Sequence, residues 1–125
     1  MTSYQLNREG ILDTISGSVP DSQTAPCWIA ITPDGRYAYA VNTGNAVISG
    51  YQVDFNGELS LLGNGVAAQT VPHPLDNAIT RDGRYMYVVT GSNTIIGYQV
   101  QADGSLTSLN LTAVIPSDSR GLVAR

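Results

Sequence analysis

The chain has no lysine, one cysteine, one histidine and one tryptophan. It also has no apolar run approaching the ~18 residues that a membrane span needs. Each shortage excludes something. A single Cys27 rules out an intrachain disulfide and any cysteine cluster for a metal. A single His73 rules out a multi-histidine metal site. With six arginines scattered singly and a net charge of −4, there is no basic footprint for nucleic acid. The mild acidity reads as solubility. Residues 1–10 lack the basic start and apolar core of a secretory signal. The expectation is a cytoplasmic protein if the chain is complete, and a periplasmic or secreted one if an N-terminal part lies upstream.

What the chain has is a long internal repeat. Thr32-Pro33-Asp34-Gly35-Arg36-Tyr37-Ala38-Tyr39 returns as Thr80-Arg81-Asp82-Gly83-Arg84-Tyr85-Met86-Tyr87, 48 residues on. Ser49-Gly50-Tyr51-Gln52-Val53 returns as Ile96-Gly97-Tyr98-Gln99-Val100, 47 residues on. One residue is therefore lost between the two blocks, near Gly44 and Gly91. Tyr4-Gln5-Leu6 matches Tyr51-Gln52-Val53, so the chain opens in the middle of a unit.

Each full unit reads as four strands separated by turns. In the first they are 28–31, 37–41, 47–53 and 59–62; in the second, 77–80, 85–90, 94–100 and 106–109. Asp-Gly and Asn-Gly pairs punctuate them, since glycine tolerates the positive φ of tight turns. No window keeps a helical period, and strands this short and evenly spaced predict an all-β fold. Four antiparallel strands per unit of this length is the pattern of a β-propeller blade. A sandwich needs no internal repeat and a β-solenoid repeats over far fewer residues.

The reading divides the chain into the outer half of a blade (1–24), a full blade (25–72), a second full blade (73–112) and the inner strand of a closing blade (113–125). Blades bury their faces only against other blades. The expectation is thus a partial ring that needs missing blades or self-association to close. Residues 28–31 are expected to be buried on both faces, Cys27 to be a small buried apolar residue, and Trp28 to fill the space between blades. The stretch 62–71 is expected to be an extended connection.

Lined up in this way, the chain resembles the lactonase-type propeller family, which includes bacterial 6-phosphogluconolactonase, fungal carboxymuconate cyclase and propellers with the Tyr-Val-Thr-Asn repeat signature. The matching pieces are the Thr32–Tyr39 block continued through Ala40-Val41-Asn42, then Ile48-Ser49-Gly50-Tyr51-Gln52-Val53, and the second copy through Asp103-Gly104-Ser105-Leu106-Thr107. Gly121-Leu122-Val123-Ala124-Arg125 resembles the closing strand of such proteins. The resemblance implies a seven-bladed ring with its site at the mouth of the central channel. It implies hydrolysis of a sugar lactone or related cyclic ester, with no cofactor or required metal. Partners would be a small-molecule lactone or sugar, with no nucleic acid and no membrane. The matched motifs are blade motifs, so no catalytic residue is carried over from the family; a non-catalytic binding or scaffold propeller is the alternative.

The mouth of a propeller gathers the loops that lead into the inner strands and those between the second and third strands. Here these are 24–28, 42–45, 71–76, 90–93 and 117–121. His73 lies in one of them, and histidine can act as general acid or base near neutral pH; the plainer reading is a loop histidine facing solvent. Asp76 stands where the first unit has Trp28, so its carboxylate would bind water, a cation or a sugar hydroxyl, or simply cap loop amides. Arg120 would clamp an anionic group with its planar fork, or remain a solvated loop residue. Asn42 completes the candidate binding residues.

Overall fold

The structure is a computed structural model and describes all 125 residues. It contains ten strands and no helix: β1 (Ser3–Leu6), β2 (Leu12–Ser16), β3 (Pro26–Ile31), β4 (Tyr37–Asn42), β5 (Val47–Val53), β6 (Leu59–Gln69), β7 (Pro74–Ile79), β8 (Tyr85–Thr90), β9 (Thr94–Val100) and β10 (Leu106–Val114). They form a two-stranded sheet, β1-β2, and two four-stranded antiparallel sheets, β3-β4-β5-β6 and β7-β8-β9-β10. Strands follow one another in chain order within each sheet, as in propeller blades. We call the two complete sheets blade 1 and blade 2.

The repeated motif is turn chemistry. The Thr32 hydroxyl donates to Asp34 Oδ1 at 2.6 Å, and its oxygen accepts the Tyr37 amide at 3.0 Å. The Gly35 amide closes the turn on the Thr32 carbonyl at 2.8 Å. Thr80, Asp82, Gly83 and Tyr85 repeat the arrangement at 2.6, 3.1 and 2.8 Å. The threonine hydroxyls and the amides of Arg36 and Arg84 hold both carboxyls below the usual carboxylate range. Each aspartate is thus consumed in making a hairpin.

Between the blades lies the core. Tyr37, Tyr39, Val41 and Ile48 of blade 1 meet Met86, Val88, Ile96 and Tyr98 of blade 2. Full burial of one such side chain contributes ~1.5–3 kcal/mol. The tyrosines bring a polar end inside, and each phenol needs an acceptor. Tyr37 donates to the Ala102 carbonyl at 2.9 Å, Tyr39 to that of Gly104 at 2.8 Å, and Tyr98 reaches back to Gln69 at 2.8 Å. Burial pushes the Tyr39 hydroxyl far above its ordinary pKa, so it stays a donor. Gly104 is required here: its φ is +81°, and an added Cβ would stand 2.5 Å from the Tyr37 ring.

Several expectations are corrected. Trp28, Ile29 and Ile31 are 56%, 49% and 59% exposed, and Cys27 is exposed as well. Apolar character drives burial only where a neighbour supplies the other wall: β3 meets β7, but Ile29 and Ile31 pair with Ala40 and Ala38 and so lie on the face turned away from the Tyr39 core. The stretch read as a connection after Leu62 is strand: β6 runs on to Gln69. Gly63 and Gly65 take φ of +55° and +87° within it and make bulges rather than an end. Asn110 takes φ +52° at the matching place in β10. Gly121-Leu122-Val123-Ala124 forms no ladder, but the Leu122 amide donates to Asp76 Oδ2 at 2.8 Å, which sets this segment beside β7.

Tyr39→Phe should lower unfolding stability by about 1–3 kcal/mol in urea titration, because the buried Gly104 carbonyl loses its donor. Tyr87→Phe, whose phenol serves no carbonyl, should change it by under about 0.5 kcal/mol in dilute solution.

Candidate functional site

The loops assigned to the mouth do lie together, because antiparallel strands place them at one end of the blades. Main-chain bonds fix them. The Thr43 and Gly44 amides donate to Ala25 and Thr24 at 3.0 and 3.1 Å, and the Gly91 amide donates to His73 at 2.8 Å. Across the blades, the Thr43 hydroxyl donates to the Pro74 carbonyl at 2.7 Å.

His73 is exposed and its backbone sits in the left-handed region at φ +58°. A residue before proline is ordinarily extended, and such strain often marks function. Ala25, in the same place before Pro26, takes φ +55°. The shape therefore belongs to the blade repeat and holds the histidine backbone without depending on its imidazole.

Asp76 is 6% exposed and uses both oxygens: Oδ1 accepts the Asn77 amide at 2.7 Å, Oδ2 the Leu122 amide at 2.8 Å. No hydrogen bond joins it to His73. Arg120 is exposed, with its guanidinium on the Ser119 carbonyl at 3.0 Å and on Asp118 at 3.4 Å. Through Leu122 the structure brings the Arg120 loop and Asp76 to one place, and His73 stands on the loop that leads into the same strand, β7.

Asn42 is wholly buried at the end of β4. Its amide nitrogen donates to Ser49 Oγ at 2.8 Å, and the Ser49 hydroxyl donates to Asp21 Oδ2 at 2.6 Å. Its Oδ1 has no partner. Burial pushes the Asp21 carboxyl up, but the Ser49 hydroxyl and the Gln23 amide outweigh it and leave it below the ordinary value. Nearby, burial and the Asp21 charge push the Tyr51 hydroxyl up to about 12. Sequence reasoning missed this chain of groups. Blade 2 has Thr90 and Ile96 in the places of Asn42 and Ser49, so the repeat carries no trace of it.

The largest cleft, about 450 Å³, is at the opposite end, between the two Asp-Gly-Arg turns. The mouth and this cleft thus lie at opposite ends. The mouth is the better candidate, because two blades form only one wall of a channel, whereas the cleft is lined by turn aspartates already bonded.

Comparison with known proteins adds the following. A family model described as a lactonase, 7-bladed beta-propeller, matches residues 2–122. No curated protein sequence matches. Among solved structures, a candidate 6-phosphogluconolactonase from Bacteroides fragilis is 29% identical with a TM-score of 0.81, over 91% of this chain and 33% of that one. One from Bacteroides uniformis is 28% identical with a TM-score of 0.80, over 91% and 34%. The periplasmic gluconolactonase of Pseudomonas aeruginosa, 17% identical with a TM-score of 0.73 over 94% and 35%, shares the fold. The chain spans about a third of the length of these structures.

The Asp21 carboxyl is depressed in the folded state, so it contributes stability above its unfolded value of 3.8 and loses it as pH falls through the lower folded value. Ser49→Ala should move the Asp21 pKa upward in an NMR titration and shift acid unfolding to higher pH.

Proposed function

This chain belongs to the family of seven-bladed lactonase propellers, and from that premise we propose that it forms part of the wall of a lactonase site, acting on a sugar lactone or a related cyclic ester. The single observation that carries the proposal is the gathering of His73, Asp76 and the Arg120 loop around β7, at the end of the blade read as the mouth. Relatives named for gluconolactone chemistry support the substrate class.

Lactone hydrolysis needs a base for the attacking water and an acid for the departing ring oxygen. The exposed His73 imidazole is a group on this wall able to do both: take the proton from water as it attacks the carbonyl, then return it to the ring oxygen as that C–O bond breaks. Each Asp76 oxygen already accepts a main-chain amide. Its role is positioning, since it holds Leu122, and with it Arg120, against β7. Arg120 would meet an anionic group on the substrate, its only carboxylate partner being the exposed Asp118. Asn42 braces the mouth from behind.

A non-catalytic binding propeller is the second reading. It is favoured by one observation, that no carboxylate bonds to His73 to orient it as a base.

The test is acid release from gluconolactone by a seven-bladed protein that carries this segment. His73→Ala should lower kcat by about a hundredfold, and Arg120→Ala should raise KM for a phosphorylated lactone with kcat retained. Unchanged turnover in the His73 variant would remove it from the mechanism and favour the second reading.

A further inference from the structure

The chain has two Asn-Gly pairs, Asn56-Gly57 and Asn64-Gly65, and the fold treats them differently. A glycine after asparagine leaves the next main-chain nitrogen without a Cβ to shield it, so that nitrogen can reach the asparagine side chain. In the turn between β5 and β6 it is already committed. The Gly57 amide donates to the Asp54 carbonyl at 2.9 Å, and Asp54 Oδ1 accepts the Asn56 and Glu58 amides, both at 2.8 Å. An attack from Gly57 has to break the first of these bonds and undo the turn.

At Asn64 the ladder is open. Leu61 pairs with Tyr51 and Val66 with Ser49, so residues 62–65 stand opposite Gly50 alone. Asn64 is exposed, and its Oδ1 accepts the Val66 amide at 3.2 Å. That bond folds the side chain back along the Gly65 peptide and draws electrons away from Cγ.

We propose that Asn64 is the site at which this protein deamidates spontaneously, with water as the co-reactant. The Gly65 nitrogen gives its proton to hydroxide and bonds to Asn64 Cγ, while the Val66 amide meets the charge that develops on Oδ1. The Cγ–Nδ2 bond then breaks, and ammonia leaves with a proton from water, which restores the hydroxide. A second water opens the succinimide ring at either carbonyl, leaving aspartate or isoaspartate, the latter with an extra main-chain carbon.

Either product puts a new carboxylate on the seam between the blades. Asn64 lines a cleft of about 260 Å³ with Asp103, Gly104 and Ser105 of blade 2, and both walls of that cleft are in this chain. The Ser105 hydroxyl and amide hold the Asp103 carboxyl below the usual carboxylate range, and the Gly104 carbonyl receives Tyr39. The new charge thus faces a like charge beside a bond that joins the blades. Asn56, by contrast, stands where blade 2 has Asp103, so an aspartate there is one the turn accepts. None of this depends on the lactonase reading.

The test ages a seven-bladed protein that carries this segment in mildly alkaline buffer, folded and, in parallel, in urea. Cleavage at Glu58 separates the two pairs for mass spectrometry. In the folded protein Asn64 should convert at least about tenfold faster than Asn56, the rate equivalent of the Gly57 hydrogen bond. In urea the two rates should converge, since only sequence then acts on them. Asn64→Asp should unfold at a lower temperature than Asn56→Asp, and added salt should narrow the gap. A folded protein in which Asn64 is intact, or converts no faster than Asn56, overturns the proposal, and this comparison needs no variant. A preference for Asn64 that persists in urea overturns it too, because the fold would not be its cause. Equal melting of the two aspartate variants overturns the placing of the new charge on the seam.

Discussion

A blade is a single layer, and a single layer has no inside. Its faces can be dried only by another packed layer, which in a structure of strands alone is another sheet, and here that constraint is met once, where the β4–β5 face of blade 1 meets the β8–β9 face of blade 2. The tyrosines make this contact directional as well as apolar. Rings fill the gap while hydroxyls find main-chain carbonyls on the facing blade. Sliding one blade past the other would strand those groups without partners, and a buried unpaired polar group is costly.

The arrangement of the mouth follows from this packing. With the blades locked side by side, the loops leading into β3 and β7 fall at the same end, joined through Thr43 of the β4–β5 turn, whose amide donates to Ala25 and whose hydroxyl donates to Pro74. The backbone there is held by bonds that both blades share, including the left-handed residue before each proline. The regular scaffold leaves the chemistry to the side chains that differ between the repeats: His73 where blade 1 has Ala25, and Asp76 where it has Trp28. A fold does not by itself supply a reaction, and these two positions are among those where this chain departs from its own repeat.

Much of the fold was legible in the sequence because turns are local. Thr-x-Asp-Gly-Arg-Tyr contains every donor and acceptor its hairpin needs within six residues. The continuation of β6 was not legible: glycine is read as punctuation, and whether it ends a strand or bulges within one depends on the neighbouring strand. Nor was the link from Asn42 through Ser49 to Asp21, whose members are 7 and 28 residues apart and appear in only one unit. His73, Asp76 and Arg120 could be placed at the mouth by counting strands, but the bond from Leu122 to Asp76 spans 46 residues and leaves no mark on either neighbourhood.

The exposure of Trp28 and Ile29 makes the same point. An apolar run states what a strand would bury, while burial itself needs a second surface. By itself, then, the sequence determined the blade: its strands, its hairpins and its recurrence, all interactions over short separations. Tertiary structure alone decided which faces are dry, which aspartates are already bonded and which polar groups meet, because each of these depends on atoms that only packing brings together.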